Sequence, residues 1–464
     1  MPSLVRLGLI SRRGFGRITP DPFVLAIGLT LAVMGGALVV GGPDDASFAV
    51  RFQGLLEVWT GSGGLWKLLT FGMQASLMLV LGTALAEAPS VRGAIERLAG
   101  RARTPRRLVG LVAMTSIALG LLNWSVSLIG GALVARAAGR HARARGWSLD
   151  YPLLAAAGYS GLMVWHGGLS GTAPLKMTSM PDAIEVLGPD LAAQVGTLSL
   201  ETTLLGTLNL VISGGLLFLG PLFFMALTPS GGEDPEPRAM PAEVLEAPVT
   251  DDAGPGPGQD VAAEDRPLVV WLLALPMLAG LGIYAATRGL GRVDLNTVNL
   301  MLWVLAMLLH GRPSVFVAAC ERGIRGATGI FLQFPLYAGI MGMMAASGLS
   351  TRLSTMVADA GATLLPVVTF ASAALLNLFV PSGGGQWAVQ GPIIMQAAVE
   401  TGVDPAKVLM AMAYGDQLTN MLQPFWALPL LAITGCKARE IVGYTALFMV
   451  AGAVWIVAAL LLIS

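Results

Sequence analysis

The sequence predicts an all-α polytopic membrane protein: two inverted-topology repeats, each with a re-entrant hairpin and a broken helix. Composition is the first observation behind this expectation. Of 464 residues, 55% are hydrophobic and 12% charged, and the mean hydropathy is +0.71. Apolar stretches of the roughly 20 residues needed to cross a bilayer recur along the chain. The second observation is a set of Gly-rich interruptions in that apolar sequence. Residues 123–131 and 165–174 break the first half; residues 377–390 and 414–424 break the second. Backbone freed from a helix is costly against lipid and survives only where it lines a cavity. Paired breaks at corresponding places in two halves mark the binding site of a secondary transporter. The third observation is the placing of Arg, which sets how often the chain crosses.

Residues 1–20 carry Arg6, Arg12, Arg13 and Arg17 and read as a basic cytoplasmic N-terminus. The run 23–40 is too long for a signal-peptide core and lacks a cleavage site, so a retained first helix is expected at about 22–41. A second helix, about 65–88, returns to a loop holding Arg92, Arg97, Arg101, Arg103, Arg106 and Arg107. The apolar stretch 108–134 is followed by Arg136, Arg140, Arg143 and Arg145. A single crossing would leave one Arg cluster outside; a hairpin turning near 123–131 keeps both inside. A helix at about 151–178 then leads to an outer loop with Asp182, Glu185 and Asp190 and no basic residue. One at about 198–227 returns and closes the first repeat, 21–227. Residues 228–266 are acidic and Pro-rich, with Gly-Pro-Gly-Pro-Gly at 254–258, which predicts a disordered cytoplasmic linker.

A connecting helix, 267–287, flips the topology of the second repeat, 288–464. Helices at about 295–310 and 326–347 precede a hairpin at about 363–399. A broken helix at about 405–430 and a last helix at about 441–463 follow. The expected tally is about nine spans plus two hairpins. Arg288 and Arg292, in a short outer loop, run against this scheme.

At the first hairpin tip, Asn123 and Ser125 offer neutral donors, and free N–H groups at a helix start attract anions. The partner break holds His166, Gly167, Gly168, Ser170 and Thr172, where Gly permits close ligand approach and Pro174 suits a restarted helix. Close helix packing through small residues is the other use of such glycines. At the second tip, Ser382, Gly383, Gly384 and Gly385 are expected to interrupt a helix and turn consecutive N–H groups on a carboxylate. Gln386 and Gln390, one turn apart, face the same way, while Trp387 reads equally as a membrane-interface anchor. Asp416 is the one acid deep within an expected span, a functional hypothesis by default. With Asn420 one turn on, and Asn377, it forms a candidate coupling-ion site. The carboxylate alone would take H⁺; carboxylate and amide oxygens together would take Na⁺. A buried Asp bonded to neighbouring helices is the alternative for Asp416, and a hydrogen-bonded structural ring the alternative for His166.

With these residues the chain resembles the bacterial short-chain fatty acid transporter family. The likeness spans nearly the whole chain outside the linker and the extreme N-terminus. It is carried by Leu69-Thr70-Phe71-Gly72-Met73-Gln74, Asp150-Tyr151-Pro152, Asn296-Thr297-Val298-Asn299, Pro381-Ser382-Gly383-Gly384-Gly385 and Gln423-Pro424-Phe425-Trp426. The last two strings are specific when found together. The resemblance implies uptake of short monocarboxylates such as butyrate or acetoacetate across a bacterial inner membrane. It also places the chain near a wider group of anion–cation symporters that work by an elevator-like shift. Expected partners are the carboxylate and the bilayer, with a homodimer among the assemblies that fit.

Other classes are disfavoured. With 28 basic and 28 acidic residues, nothing points to nucleic acid. Cys320 and Cys436 do not indicate a disulfide framework, and no cofactor is expected beyond the coupling ion. Gly168-Leu169-Ser170-Gly171 matches the G-x-S-G of intramembrane serine proteases, but no His lies at the matching depth. No H-E-x-x-H occurs, so an enzyme is not expected. A passive anion channel or exchanger is the rival function.

Overall fold

Every regular element among the described residues is helical. The computed structural model describes residues 2–40, 47–229, 237–245, 262–288, 294–357 and 360–463. Among these, seven helices are long and apolar enough to cross a membrane. They are Pro22–Val39, Leu69–Glu87, Pro105–Leu122, Thr207–Leu227, Pro267–Thr287, Pro313–Ala346 and Ala438–Leu462. Six coincide with expected spans; Pro105–Leu122 is the first arm of the expected hairpin.

Pro105–Leu122 and Trp124–Ala144 pack together with only Asn123 between them. Asn123 is extended (φ −161°, ψ 131°), and its Oδ1 accepts the N–H groups of Ser125 and Val126. One capping side chain satisfies the freed donors, so the turn needs no glycine. The turn is therefore a single residue, and Gly130 and Gly131 are helical instead of part of the tip. Arg140 pairs with Glu96, 3.5 Å away on the helix Pro89–Gly100, which also carries Arg92. The Arg-rich ends of both arms thus share one end of the molecule.

The first broken helix runs Tyr151–Tyr159, then 3₁₀ turns Ser160–Met163 and Trp165–Gly167, then Thr172–Lys176. Glycines press it onto the hairpin. A Cβ on Gly131 would lie 2.0 Å from the Gly158 carbonyl oxygen, and one on Gly161 would lie 1.9 Å from Ser127 Oγ. The packing reading of small residues holds here. Gly161→Ala should therefore lower the thermal midpoint in detergent by several degrees, since overpacking a dense contact typically costs about 1–3 kcal/mol. An unchanged midpoint would contradict the contact.

In the second half, Leu365–Asn377 and Gly383–Thr401 flank a break at 378–382. The three glycines open the second arm instead of interrupting it: Ser382 Oγ caps that helix by accepting the Gly385 N–H at 3.2 Å. Pro405–Thr419, a 3₁₀ turn Asn420–Leu422, and Pro424–Thr434 form the second broken helix. Its break lies at 420–423, at the far end of the expected interruption 414–424, so Tyr414 and Asp416 sit in unbroken helix ahead of it. The order hairpin, then broken helix, occurs twice. Trp387 is 1% exposed and packs on Gly391, so it is a core residue and not an interface anchor.

The basic N-terminus is a helix, Pro2–Ile18, laid against Ala438–Leu462. Val5, Leu9 and Arg12 form its buried stripe, and Arg12 meets Asp150 at 2.5 Å. Within the expected linker, residues 237–245 touch the helical body, with Arg238, Ala239 and Ala242 exposed. Met240 is buried, and Arg238 accepts the Tyr151 N–H through its carbonyl. The Gly-Pro run at 254–258 and Arg292 lie outside the described residues. A single large core joins both hairpins to both broken helices.

Candidate functional site

The two hairpin tips and the two broken helices meet at a cavity of about 220 Å³. Trp124 reaches it from the first tip; Leu162, Trp165 and Thr172 reach it from the first broken helix. Pro381, Ser382, Gly383 and Gly384 come from the second tip, and Asn420 and Trp426 from the second broken helix. Leu68 and Phe71 complete the wall. Four of these residues are aromatic: Phe71, Trp124, Trp165 and Trp426. Trp124 and Trp426 meet edge to face with centroids 5.0 Å apart, and Phe71 packs edge to face on Trp426 at 6.0 Å. The polar part is the start of Gly383–Thr401, where the Gly383 and Gly384 N–H groups lie ahead of the Gly385 N–H that Ser382 caps, together with Asn420 and the Thr172 hydroxyl. That hydroxyl makes no hydrogen bond among the described residues. Among the described residues, no Lys or Arg lines the cavity.

Behind this wall lies a buried pair. His166 Nδ1 is 2.5 Å from Asp416 Oδ2, and both side chains are essentially inaccessible. The break places His166 here. Its backbone N–H, and that of Gly167, donate to Gln417 Oε1 at 3.0 and 3.2 Å. Its Nε2 accepts the Ala173 N–H at 3.1 Å, so in the neutral ring the proton sits on Nδ1 and faces Asp416. Trp165 stacks on the ring at 4.4 Å, and a Cβ on Gly383 would come within 3.1 Å of His166 Cε1. The pair is therefore one residue's thickness from the cavity. Asp416 Oδ1 is buried without a hydrogen-bond partner among the described residues.

Asn377 ties the same region together. Its Nδ2 lies 2.6 Å from the Asp416 carbonyl oxygen, 2.9 Å from Asn420 Oδ1 and 3.0 Å from Thr419 Oγ1. Three oxygens thus surround one amide nitrogen.

Of the residues singled out from sequence, Thr172, Ser382, Gly383, Gly384 and Asn420 line the cavity. His166, Asn377 and Asp416 stand directly behind it. The others build its frame. Asn123 and Ser125 bond each other (Ser125 Oγ to Asn123 Oδ1, 2.6 Å), and Ser170 Oγ accepts the Trp124 N–H at 3.1 Å. Gly168 lies tight against the Leu121 backbone. Gln386 donates to the Ala373 carbonyl and to Gln390, whose own amide reaches Ser372, so both Gln join the hairpin arms and face away from the cavity. Sequence reasoning missed Phe71, Trp124 and Trp426 as wall residues, because an aromatic in an apolar helix has no signature separating cavity from core. It also missed Gln417 and Asn209. Asn209 Nδ2 donates to the Gly167 carbonyl at 2.8 Å and its Oδ1 accepts the Tyr414 hydroxyl at 3.1 Å.

Among solved structures, the chain is similar to MtrF of Neisseria gonorrhoeae, described as illuminating a class of antimetabolite efflux pumps. The TM-score is 0.42 at 14% identity, covering 97% of this chain and 96% of that one. The YdaH transporter of Alcanivorax borkumensis gives a TM-score of 0.42 at 16% identity over 95% of this chain and 98% of that one. Among sequences, it is 36% identical to a protein of Escherichia coli K12 named "Putative short-chain fatty acid transporter" over 445 residues, 94% of this chain and 96% of the relative. A protein of the same name from Haemophilus influenzae Rd is 34% identical over 430 residues, 92% of each chain. The profile of the short chain fatty acid transporter family matches residues 4–463. The chain belongs to the short chain fatty acid transporter family.

Proposed function

We propose that this protein is a secondary active carrier that takes up short monocarboxylates, of the butyrate or acetoacetate kind, together with a proton. The observation that carries this reading is the cavity itself: small, with four aromatic side chains in its wall, polar at a helix start, at Thr172 and at Asn420, and backed by a buried His–Asp pair. Its volume falls below the roughly 300–1,000 Å³ of pockets for drug-sized ligands, which suits an acid of a few carbons. The apolar tail lies among Phe71, Trp124 and Trp426; the carboxylate faces the N–H groups of Gly383 and Gly384 and the Thr172 hydroxyl. Neutral donors and a helix dipole suffice for one negative charge.

Asp416 is the proton site. Its Oδ2 already accepts from His166, and Oδ1 is open to a proton. Loading neutralises a charge that would otherwise sit beside the substrate carboxylate in a low dielectric, where it is costly. The hairpins and broken helices then move as a unit against the spanning helices, in an elevator-like shift.

The oxygens around Asn377 Nδ2 favour a second reading for the ion. An amide flip would replace that nitrogen with Asn377 Oδ1, which has no partner among the described residues, and create an oxygen cage for Na⁺. As the amide stands, its nitrogen satisfies those oxygens, so the proton reading takes precedence.

The test is to fill the cavity. Gly384→Leu puts a side chain beside Thr172, where a Cβ meets only the Thr172 methyl at 3.5 Å, so the fold should tolerate it. Saturable butyrate uptake into liposomes should vanish while the thermal midpoint holds. Retained uptake at wild-type affinity would contradict this site.

A further inference from the structure

A second cavity, of about 410 Å³, lies toward the Arg-rich end of the molecule. The helices that wall the central cavity also wall this one. Leu69–Glu87 gives Phe71 to the first and Thr83 and Glu87 to the second. Trp124–Ala144 gives Trp124 to the first and Arg136 to the second; Pro424–Thr434 gives Trp426 and then Ala432. Trp124 and Arg136 are 12 positions apart, as are Phe71 and Thr83. At 1.5 Å per residue, that separates the two cavities by about 18 Å along one seam. A Cβ on Gly82 would lie 2.7 Å from Ile129 Cγ2, so these two helices are in tight contact beside the second cavity, where Leu79 and Thr83 flank Gly82.

The second cavity has the charge that the first lacks. Arg136, Arg322 and Arg325 line it against one acid, Glu87. Arg322 is engaged with that acid, with Nε at 2.9 Å and a terminal nitrogen at 2.5 Å from Oε2. Arg136 is different. Its side chain forms no hydrogen bond or ion pair among the described residues, and its Nε is buried without a partner. Glu87 attracts Arg136 electrostatically without bonding it, and a buried donor beside a positively charged cavity is suited to binding an anion, because leaving such a group unpaired costs more than pairing it gains. Guanidinium groups bind carboxylates at two points, which a neutral helix start cannot do.

We propose that this basic vestibule is a second binding site for the transported carboxylate, held by Arg136 and walled by the same three helices as the central cavity. This rests on the carrier reading and extends it. The vestibule gathers the anion at the Arg-rich end of the seam. A lipid phosphate shares the chemistry that Arg136 recognises, since basic pockets between membrane helices also hold anionic headgroups.

The experiment is ¹⁹F NMR of 4,4,4-trifluorobutyrate with the full chain in nanodiscs of phosphatidylcholine. Two bound resonances are expected. Arg136→Gln should weaken one by about tenfold or more, the usual scale for losing a charge-assisted contact, and leave the other in place. The surviving resonance reports that the variant is folded, and Arg136→Lys should restore part of the lost one. Gly384→Leu should remove the other. A single resonance indifferent to Arg136→Gln would overturn the vestibule and leave the carrier reading standing. The absence of any bound resonance would overturn both. In nanodiscs containing phosphatidylglycerol the Arg136-dependent signal should persist; its loss would assign the pocket to lipid phosphate and overturn the substrate site.

Discussion

Asp416→Asn is expected to abolish accumulation of a short carboxylate against its gradient while leaving downhill exchange measurable. The substitution keeps the side-chain shape, and the amide oxygen still accepts from His166 Nδ1, so the link between the two broken helices survives. What disappears is the group that takes up a proton at Oδ1. With one proton per carboxylate, each pH unit of gradient sustains about tenfold accumulation, because 1.4 kcal/mol corresponds to a factor of ten. The variant should accumulate nothing above the external concentration. Labelled butyrate in liposomes measures this, with protein-free liposomes subtracting diffusion of the neutral acid. Uphill uptake unchanged from wild type would remove Asp416 from the coupling role. It would also return the residue to the alternative of a buried acid bonded to its neighbours.

The second large effect concerns stability at a distance from the cavity. Asp150 accepts from Arg12 at 2.5 Å, from the Tyr444 hydroxyl at 2.8 Å and from the Arg238 N–H at 3.0 Å. One carboxylate, 1% exposed, thus joins the N-terminal helix, the last helix and residues 237–245 to the start of the first broken helix. Asp150→Ala breaks the buried ion pair with Arg12 and removes the acceptor of the Tyr444 hydroxyl and the Arg238 N–H. Breaking such a pair typically costs about 3–5 kcal/mol, much of it the desolvation of the abandoned ion. The thermal midpoint should fall strongly, and Arg12→Met combined with Asp150→Leu should recover much of the loss. A double variant as damaged as the single one would show that Arg12 is not the group left stranded.

Much of the fold was legible because the bilayer simplifies the problem. Arg on both sides of an apolar run, with Asn123 inside it, was enough to expect a hairpin, and the order of breaks was enough to expect the repeat. Boundaries were harder to read. A lone Asn123 cap does the work that Gly130 and Gly131 were expected to share, and three glycines after Ser382 start a helix once Ser382 caps it. The helix Pro2–Ile18 escaped notice because its Arg residues masked a Val5, Leu9 and Arg12 stripe. Residues 237–245 escaped because an acidic, Pro-rich segment gives no sign that one stretch of it docks. At the site, titratable residues and glycine clusters could be picked out. The aromatic wall could not, since Phe71 and Trp426 read as ordinary membrane-helix residues until the chain folds them against Trp124. His166 and Asp416 were separate candidates, 250 residues apart, and only the fold makes them one pair.

The most direct test of the coupled-carrier account is uptake of labelled butyrate by the purified protein in liposomes, with a pH gradient and a Na⁺ gradient imposed separately. The account predicts that an inward proton gradient alone drives accumulation above the external concentration, at a saturable initial rate faster than in protein-free liposomes, and that a Na⁺ gradient alone does not. Accumulation driven only by Na⁺ would contradict the proton assignment to Asp416 and favour the Asn377 oxygens, and equilibration without accumulation under either gradient would contradict coupled transport itself.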